Sequence, residues 1–338
     1  MSKNVLITGG AGFIGSAMAR SFARDGAKVT IVDNMSRAGS DVTLKKLQTE
    51  EKKISFIKAD ITRDISSIRR AIKGQDLIFH FAGQVAVNQS IAAPFEDFMT
   101  NAAGTVTLLE TIRNNNPEAL FLFSSSMRVY GQMKSEPVKK NGNSYVMTRF
   151  PKGIPEEYSI DLHTPYSCSK GAADQYVRDY ARTFNLRTVV FRQSCIYGPG
   201  QFAIENHGWV NWFIASALAG REIRIFGDGR QVRDVLYIDD LIEAYRSAVK
   251  YESKAVGEIF NVGGGTNHSL SLRALLDLLK DNFNIKTERT YTTWRKGDTK
   301  AYVSDIKKAQ KLLHWTPRTR ILDGVEQTIK WIESTILK

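Results

Sequence analysis

Cysteine is nearly missing: Cys168 and Cys195 are the only two in 338 residues. That is too few for a disulfide framework or a thiolate metal cluster. Histidine is almost as sparse. His80, His163, His207, His268 and His314 fall at no spacing that ligates a metal, so no metal is expected. No apolar run approaches the length that spans a bilayer. The start, MSKNVLITGG, has neither the long apolar segment nor the small-residue cleavage site of a signal peptide. The expectation is a cytoplasmic protein with no membrane partner. A block of five or more basic residues is also absent, although the formal net charge is +12. Scattered Lys and Arg read as a solvated basic surface, and no nucleic-acid partner is expected. A positive field of this kind also suits an anionic substrate.

What is present is an alternation. Apolar runs at NVLITGG, KVTIVD, ISFIKAD, DLIFHFAG and ALFLFSSS are separated by helical patterns such as NAAGTVTLLETIRNNN, and RTVVFRQSCIYGPG adds a sixth strand. Strands alternating with helices at this spacing predict an α/β fold, a doubly wound parallel sheet of the dinucleotide-binding (Rossmann) kind. Beyond about Gly200 the pattern loosens into a smaller C-terminal α/β lobe. The predicted organisation is a nucleotide-binding domain over 1–194, with about 234–263 returning to it, and a substrate-binding lobe over 195–338. Residues 132–160 form a long polar insert with little periodicity, a length at which loops are often functional.

TGGAGFIG sets Gly9, Gly12 and Gly15 at the join of the first strand and first helix. Glycines there let the chain turn tightly and let a pyrophosphate approach the backbone and the helix N-terminus. The second strand ends in Asp33. A carboxylate at that point accepts hydrogen bonds from the adenosine ribose and repels a 2′-phosphate, which favours NAD over NADP. Arg37, just past the strand, is the residue that would serve a 2′-phosphate instead.

In the stretch after Pro165, Tyr166 and Lys170 stand at i and i+4, on one face of a helix. An ammonium beside a phenol lowers the cost of the phenolate, and such a phenol exchanges a proton with a sugar hydroxyl. Cys168 lies between them on the other side of the helix and reads as a small buried packing residue. Ser124, Ser125 and Ser126 end the fifth strand, the edge outside which open α/β sheets bind ligands.

TGGAGFIG, KADI, HFAGQVAV, NAAGT, SSSMRVYG, Tyr166-x-x-x-Lys170, RQSCIYGPG, GDGRQVRDVLYIDD, NVGGG and WRKGD together resemble an extended short-chain dehydrogenase/reductase of the nucleotide-sugar epimerase and dehydratase branch. The resemblance covers nearly the whole chain. It implies that Ser126 assists Tyr166 and that Lys170 also holds the nicotinamide ribose. For the cofactor it adds Phe13 and Ile14 at the glycine turn, Asn34 and Ser36 beside Asp33, and Asp60 and Ile61 around the adenine. It further adds Phe81, Ala82, Gly83 and Gln84, then Asn101, Ser124 and Gln193. For the substrate it implies Val85, Met127, Arg128 and Cys195, with Phe226 against the base and Arg233 and Arg295 on the diphosphate, where guanidinium suits phosphate. A homodimer is implied as well. Cys195 replaces the Asn usual in the family's R-x-x-N-x-Y-G-P.

The family's dehydratases carry Asp-Glu just before V-Y-G. Here that place holds Met127-Arg128, so elimination lacks its proton carriers. What remains is transient oxidation and re-reduction of a sugar carbon. DNMSRAGSDVTLKKL, HFAGQVAVNQSI, YSCSKGAADQYVRDYAR and GQFAIENHGWVNWF resemble, more closely, the CDP-tyvelose (CDP-paratose) 2-epimerase subgroup, which implies a CDP-sugar substrate. A UDP-sugar 4-epimerase and a non-catalytic NAD-binding regulator stay open as alternatives.

Overall fold

The computed structural model describes residues 2–205, 208–295 and 297–337; His207 lies outside them. The first half runs β1 (Asn4–Thr8), α1 (Phe13–Arg24), β2 (Lys28–Asp33), α2 (Ser40–Glu50), β3 (Ile54–Lys58), α3 (Ile65–Ile72) and β4 (Leu77–His80). Two short helices, α4 (Val87–Ala92) and α5 (Pro94–Phe98), then pass through a π-helical turn (Met99–Ala103) into α6 (Gly104–Asn115) and β5 (Leu120–Ser126). Next come β6 (Val138–Asn141), β7 (Ser144–Met147), α7 (Pro165–Phe184), β8 (Thr188–Gln193), β9 (Cys195–Tyr197) and α8 (Trp209–Leu218). The remainder comprises β10 (Ile223–Phe226), β11 (Val232–Tyr237), α9 (Ile238–Lys250), α10 (Glu252–Ala255), β12 (Ile259–Val262), β13 (Ser269–Ser271) and α11 (Leu272–Phe283). It closes with β14 (Arg289–Thr292), β15 (Ala301–Tyr302), α12 (Lys307–Leu313) and α13 (Ile321–Thr335).

Seven strands form one sheet in the order β12-β8-β5-β4-β1-β2-β3. β1 runs parallel to both β2 and β4, β2 to β3, and β4 to β5. A parallel sheet is covered on both faces, so its strands read as unbroken apolar runs. Val5, Leu6 and Ile7 of β1 and Leu120–Phe123 of β5 are accordingly buried. The chain winds outward from β1 to β3 and then returns to β4 on the other side. That reversal opens a crevice at the carboxyl ends of β1 and β4, where such sheets bind ligands.

Packing divides the chain into two compact units. The first holds the residues up to Val129, Thr164–Arg192 and Ile242–Phe260; the second holds Tyr130–His163, Gln193–Leu241 and the chain from Asn261 onward. This differs from the expected 1–194 and 195–338 in one main respect: the 132–160 insert belongs with the second unit. It also contains a hairpin, β6–β7, with no apolar alternation on β6, because that strand is exposed along most of its length. The hairpin is held by hydrogen bonds instead. Tyr145 donates its N–H to the Arg230 carbonyl at 2.9 Å and its hydroxyl to Asp228 at 2.8 Å. Ser271 Oγ donates to the Asn143 carbonyl at 2.6 Å. The sixth strand expected over RTVVFRQSCIYGPG is split in two, β8 in the large sheet and β9 paired in parallel with β11.

Candidate active site

The turn between β1 and α1 leaves no room for side chains. Gly9 has φ +70°, and a Cβ there would lie 2.6 Å from the Ala82 nitrogen. A Cβ on Gly15 would meet the Gly9 carbonyl oxygen and lie 2.9 Å from Gly10 Cα. Gly12 precedes the first residue of α1, with Phe13 and Ile14 half-buried behind it. Asp33, at the end of β2, accepts the Ala11 N–H at 3.0 Å and the Met35 N–H at 2.8 Å, which aims its carboxylate at the turn. Asn34 accepts the Ser36 N–H at 3.1 Å and donates to Asp60 at 2.8 Å. Burial works against the Asp60 charge, yet hydrogen bonds from Thr62 and Asn34 hold its carboxyl below the usual range. Ile61 beside it is buried.

Across the crevice, Asn101 links the loop after β4 to α7. Its Oδ1 accepts the Gln84 N–H at 2.9 Å, and its Nδ2 donates to Ser169 Oγ at 3.1 Å. The π-helical turn that carries Asn101 is a form frequent at functional sites. Arg37 Nη2 donates to the Gly83 carbonyl at 3.1 Å, so the guanidinium is turned toward the Phe81–Gln84 loop.

α7 begins where the sequence places it, at Pro165, capped by Thr164 Oγ1 accepting the Ser167 N–H at 3.3 Å. Tyr166 and Lys170 are both buried. Burial raises the Tyr166 phenol, while a hydrogen bond from Ser126 and the charges of Arg128 and Arg37 pull it back down. Lys170 Nζ donates to the Ser124 carbonyl at 2.6 Å and sits 4.5 Å from the Phe123 ring centroid. Ser126 and the Arg128 and Arg37 guanidinium groups thus favour the phenolate, beside an ammonium anchored on the end of β5. Burial lowers Lys170 itself to about 8, against Asp174 and Asp97. Met127 and Arg128 follow Ser126 in a single 3₁₀ turn, and no carboxylate replaces them there.

A family model matches residues 5–263, that of the NAD dependent epimerase/dehydratase family. The chain belongs to this family. It is 40% identical over 337 residues to a CDP-paratose 2-epimerase of Salmonella typhi, covering 98% of this chain and 99% of that protein. A solved UDP-glucose 4-epimerase of Thermotoga maritima, with UDP-glucose, superposes with a TM-score of 0.85 at 31% identity, covering 98% of this chain and 99% of that one. A UDP-glucuronic acid 4-epimerase of Bacillus cereus, in complex with UDP-glucuronic acid and NAD, superposes with a TM-score of 0.83 at 25% identity, covering 98% and 99%. The cofactor is NAD. The first unit fits it: a turn that only glycine can make, a carboxylate at the end of β2, and a hydroxyl–phenol–ammonium set at the ends of β5 and α7.

In the second unit, Arg295 stacks on Phe226 with its Cζ 3.8 Å from the ring centroid. Arg233 is buried on β11 and donates Nη1 to the Val232 carbonyl at 2.7 Å. Gln193 is buried at the end of β8, and Cys195 opposes Val235 in the β9–β11 pair. Val85 in the first unit is exposed. Cys168 is exposed too, which corrects its reading as a buried packing residue: α7 buries Ser167, Ser169 and Lys170 around it and turns position 168 outward. Three polar residues of the first unit went unnoticed in the sequence. Asp174 and Arg192 form a fully buried ion pair at 2.9 Å, with Ser125 Oγ 2.7 Å from the same carboxylate. Asp97 is buried beside Asn101. Asp174 falls inside YSCSKGAADQYVRDYAR but had no role read from it, Asp97 falls in none of the quoted stretches, and burial is what marks them both. Among the described residues, no helix is long and apolar enough to cross a membrane and no metal-binding cluster occurs.

Proposed function

We propose that this enzyme inverts one carbon of a nucleotide-linked sugar by transient oxidation and re-reduction, and that it interconverts CDP-paratose and CDP-tyvelose at C2. One observation carries the reaction class: the turn after β5 sets Met127 and Arg128, not an acid–base pair, next to the Ser126–Tyr166 hydrogen bond. Elimination needs two proton carriers there, whereas inversion by oxidation needs one. The 40% identity to the Salmonella typhi enzyme supports the choice of CDP-sugar and of C2.

When bound, NAD supplies the hydride acceptor and donor. Gly9, Gly12 and Gly15 would seat its pyrophosphate, and Asp33 its adenosine ribose. Tyr166 Oη takes the proton of the sugar hydroxyl on oxidation and returns it on reduction. Ser126 Oγ donates to Oη, and Arg128 and Arg37 favour the momentary phenolate. Between the two steps the ketosugar presents its other face, which inverts the carbon. Phe226, Arg233 and Arg295 are the residues we assign to the nucleotide. The reading includes a homodimer through α4, α5 and α7, whose surface exposes Ile91, Phe95, Phe98 and Tyr176.

The test is incubation with CDP-paratose, CDP-tyvelose and UDP-glucose in D₂O, with product stereochemistry read by NMR. The two CDP-sugars should interconvert with no deuterium at the inverted carbon. Tyr166→Phe should slow this by roughly 10²–10⁴-fold. Turnover of UDP-glucose alone would replace the C2 assignment with a 4-epimerase. Solvent deuterium entering at the inverted carbon in each turnover would overturn transient oxidation.

A further inference from the structure

α5 is built inside out. Phe95, Glu96 and Phe98 are exposed, and the one fully buried residue of the helix is Asp97, at 1%. Aspartate is almost never buried this far unless paired, because its charge is lost from water. The partners of Asp97 are neutral donors: Ser169 Oγ at 2.5 Å, Gln84 Nε2 at 2.9 Å and Asn101 Nδ2 at 3.2 Å. Asp174, beyond Lys170 in the chain, has its own guanidinium in Arg192. Among the described residues Asp97 forms no ion pair, and its field reaches Lys170 and Tyr166 instead. α4 and the 99–103 turn, which pack on α5, contribute no charged side chain. α7 contributes Tyr166, Lys170 and the Arg192-paired Asp174.

We propose that Asp97 is a positioning residue of the Tyr166–Lys170 pair: a buried negative charge that keeps Lys170 an ammonium and Tyr166 a phenol at rest, while Ser169, Gln84 and Asn101 lock it in place. This rests on the reading of Tyr166 as the proton carrier. Its three bonds reach the loop after β4, the π-helical turn and α7, so one carboxylate both ties these elements together and sets their charge balance. Its effect opposes that of Arg128 and Arg37, which act on the same phenol with the other sign. Burial raises the Asp97 carboxyl, against Ser169, Gln84 and Lys170. The carboxylate is therefore held in its charged form partly by Lys170, and the dependence runs both ways.

The experiment is an NMR titration of the NAD-free and NAD-loaded protein with ¹³C-labelled tyrosine ring carbons, Tyr166 being assigned by its loss in Tyr166→Phe. In Asp97→Asn the Tyr166 titration should move to lower pH by about one unit, the scale of a single nearby charge. The acid limb of the kcat/KM profile should move in the same direction. An unchanged Tyr166 titration in folded Asp97→Asn would reduce Asp97 to a structural link and overturn the proposal. If that variant does not fold, the ¹³C carboxyl signal of Asp97, compared between the wild type and Lys170→Met, still decides the matter. Replacing Lys170 by Met should raise the Asp97 titration by about one unit, and no movement would overturn the coupling. None of these titrations uses a sugar nucleotide, so a wrong substrate assignment leaves them intact. A wrong role for Tyr166 would appear separately, as near-wild-type turnover by Tyr166→Phe.

Discussion

At the scale of single residues, the first unit balances charges against burial around one phenol. Tyr166 is raised by burial, and Ser126, Arg128 and Arg37 each return part of that cost. The second unit holds a residue whose burial is not balanced in this way. Burial pushes the Glu156 carboxyl up to about 7 from 4.5, although it accepts the Asn261 N–H at 2.7 Å and feels Lys308. A folded value above the unfolded one means that the folded chain holds the proton more tightly. The stabilisation is complete below the unfolded value and is lost as pH rises through about 7. Glu156→Gln keeps an oxygen for Asn261 and never ionises. Thermal melts should match the wild type near pH 4 and show a more stable variant at pH 8, by about 1–3 kcal/mol. A variant less stable at both pH values would mean that the carboxylate is held by partners stronger than its burial.

At the scale of elements, two junctions present the chemistry. The β1–α1 turn works by leaving side chains out. Gly15→Ala would drive a methyl group against the Gly9 carbonyl and Gly10 Cα. Backbone cannot yield as a flexible side chain does, so the turn should open and release the cofactor. The purified variant should carry far less NAD on denaturation than the wild type and should melt lower, by about 1–3 kcal/mol. Retained NAD at full occupancy would show that the turn has slack. At the other junction, Thr164 sits at φ 102°, a conformation that strains a β-branched residue, immediately before α7. Its side chain caps the helix, and the helix brings Tyr166 to the end of β5.

At the scale of the whole molecule, the exposed apolar side chains of α4, α5 and α7 bear on assembly. Phe95 is 72% exposed, and Ile91, Phe98 and Tyr176 are each about half exposed. Single exposed apolar residues are ordinary, but a group on contacting helices marks an interaction surface. α4 packs on α5, and both pack on α7. Replacing Phe95 and Phe98 together by Asp should convert a dimer to a monomer in sedimentation velocity, with the fold retained by circular dichroism. A double variant that sediments like the wild type would place any dimer contact elsewhere. The same helices carry Asp97 on their inner side, so a change at this surface acts close to Tyr166 and Lys170.

The sequence by itself determined the parallel sheet, the glycine turn, Asp33 and the Tyr166–Lys170 spacing, because each depends on residues close together in the chain. Strand periodicity, a tight turn and an i, i+4 pair are local properties. The 132–160 insert was not legible, since β6 carries no apolar pattern and its hairpin is held through Asn143 and Tyr145, which bond to Ser271, Arg230 and Asp228, more than eighty positions away. Tertiary structure alone decided that Lys170 turns to Ser124 and that Arg37 and Arg128 face the phenol. It also decided that Cys168 points outward and that Asp97 is buried. Charge and burial act through space, and a linear chain does not say which distant groups will share the same small volume.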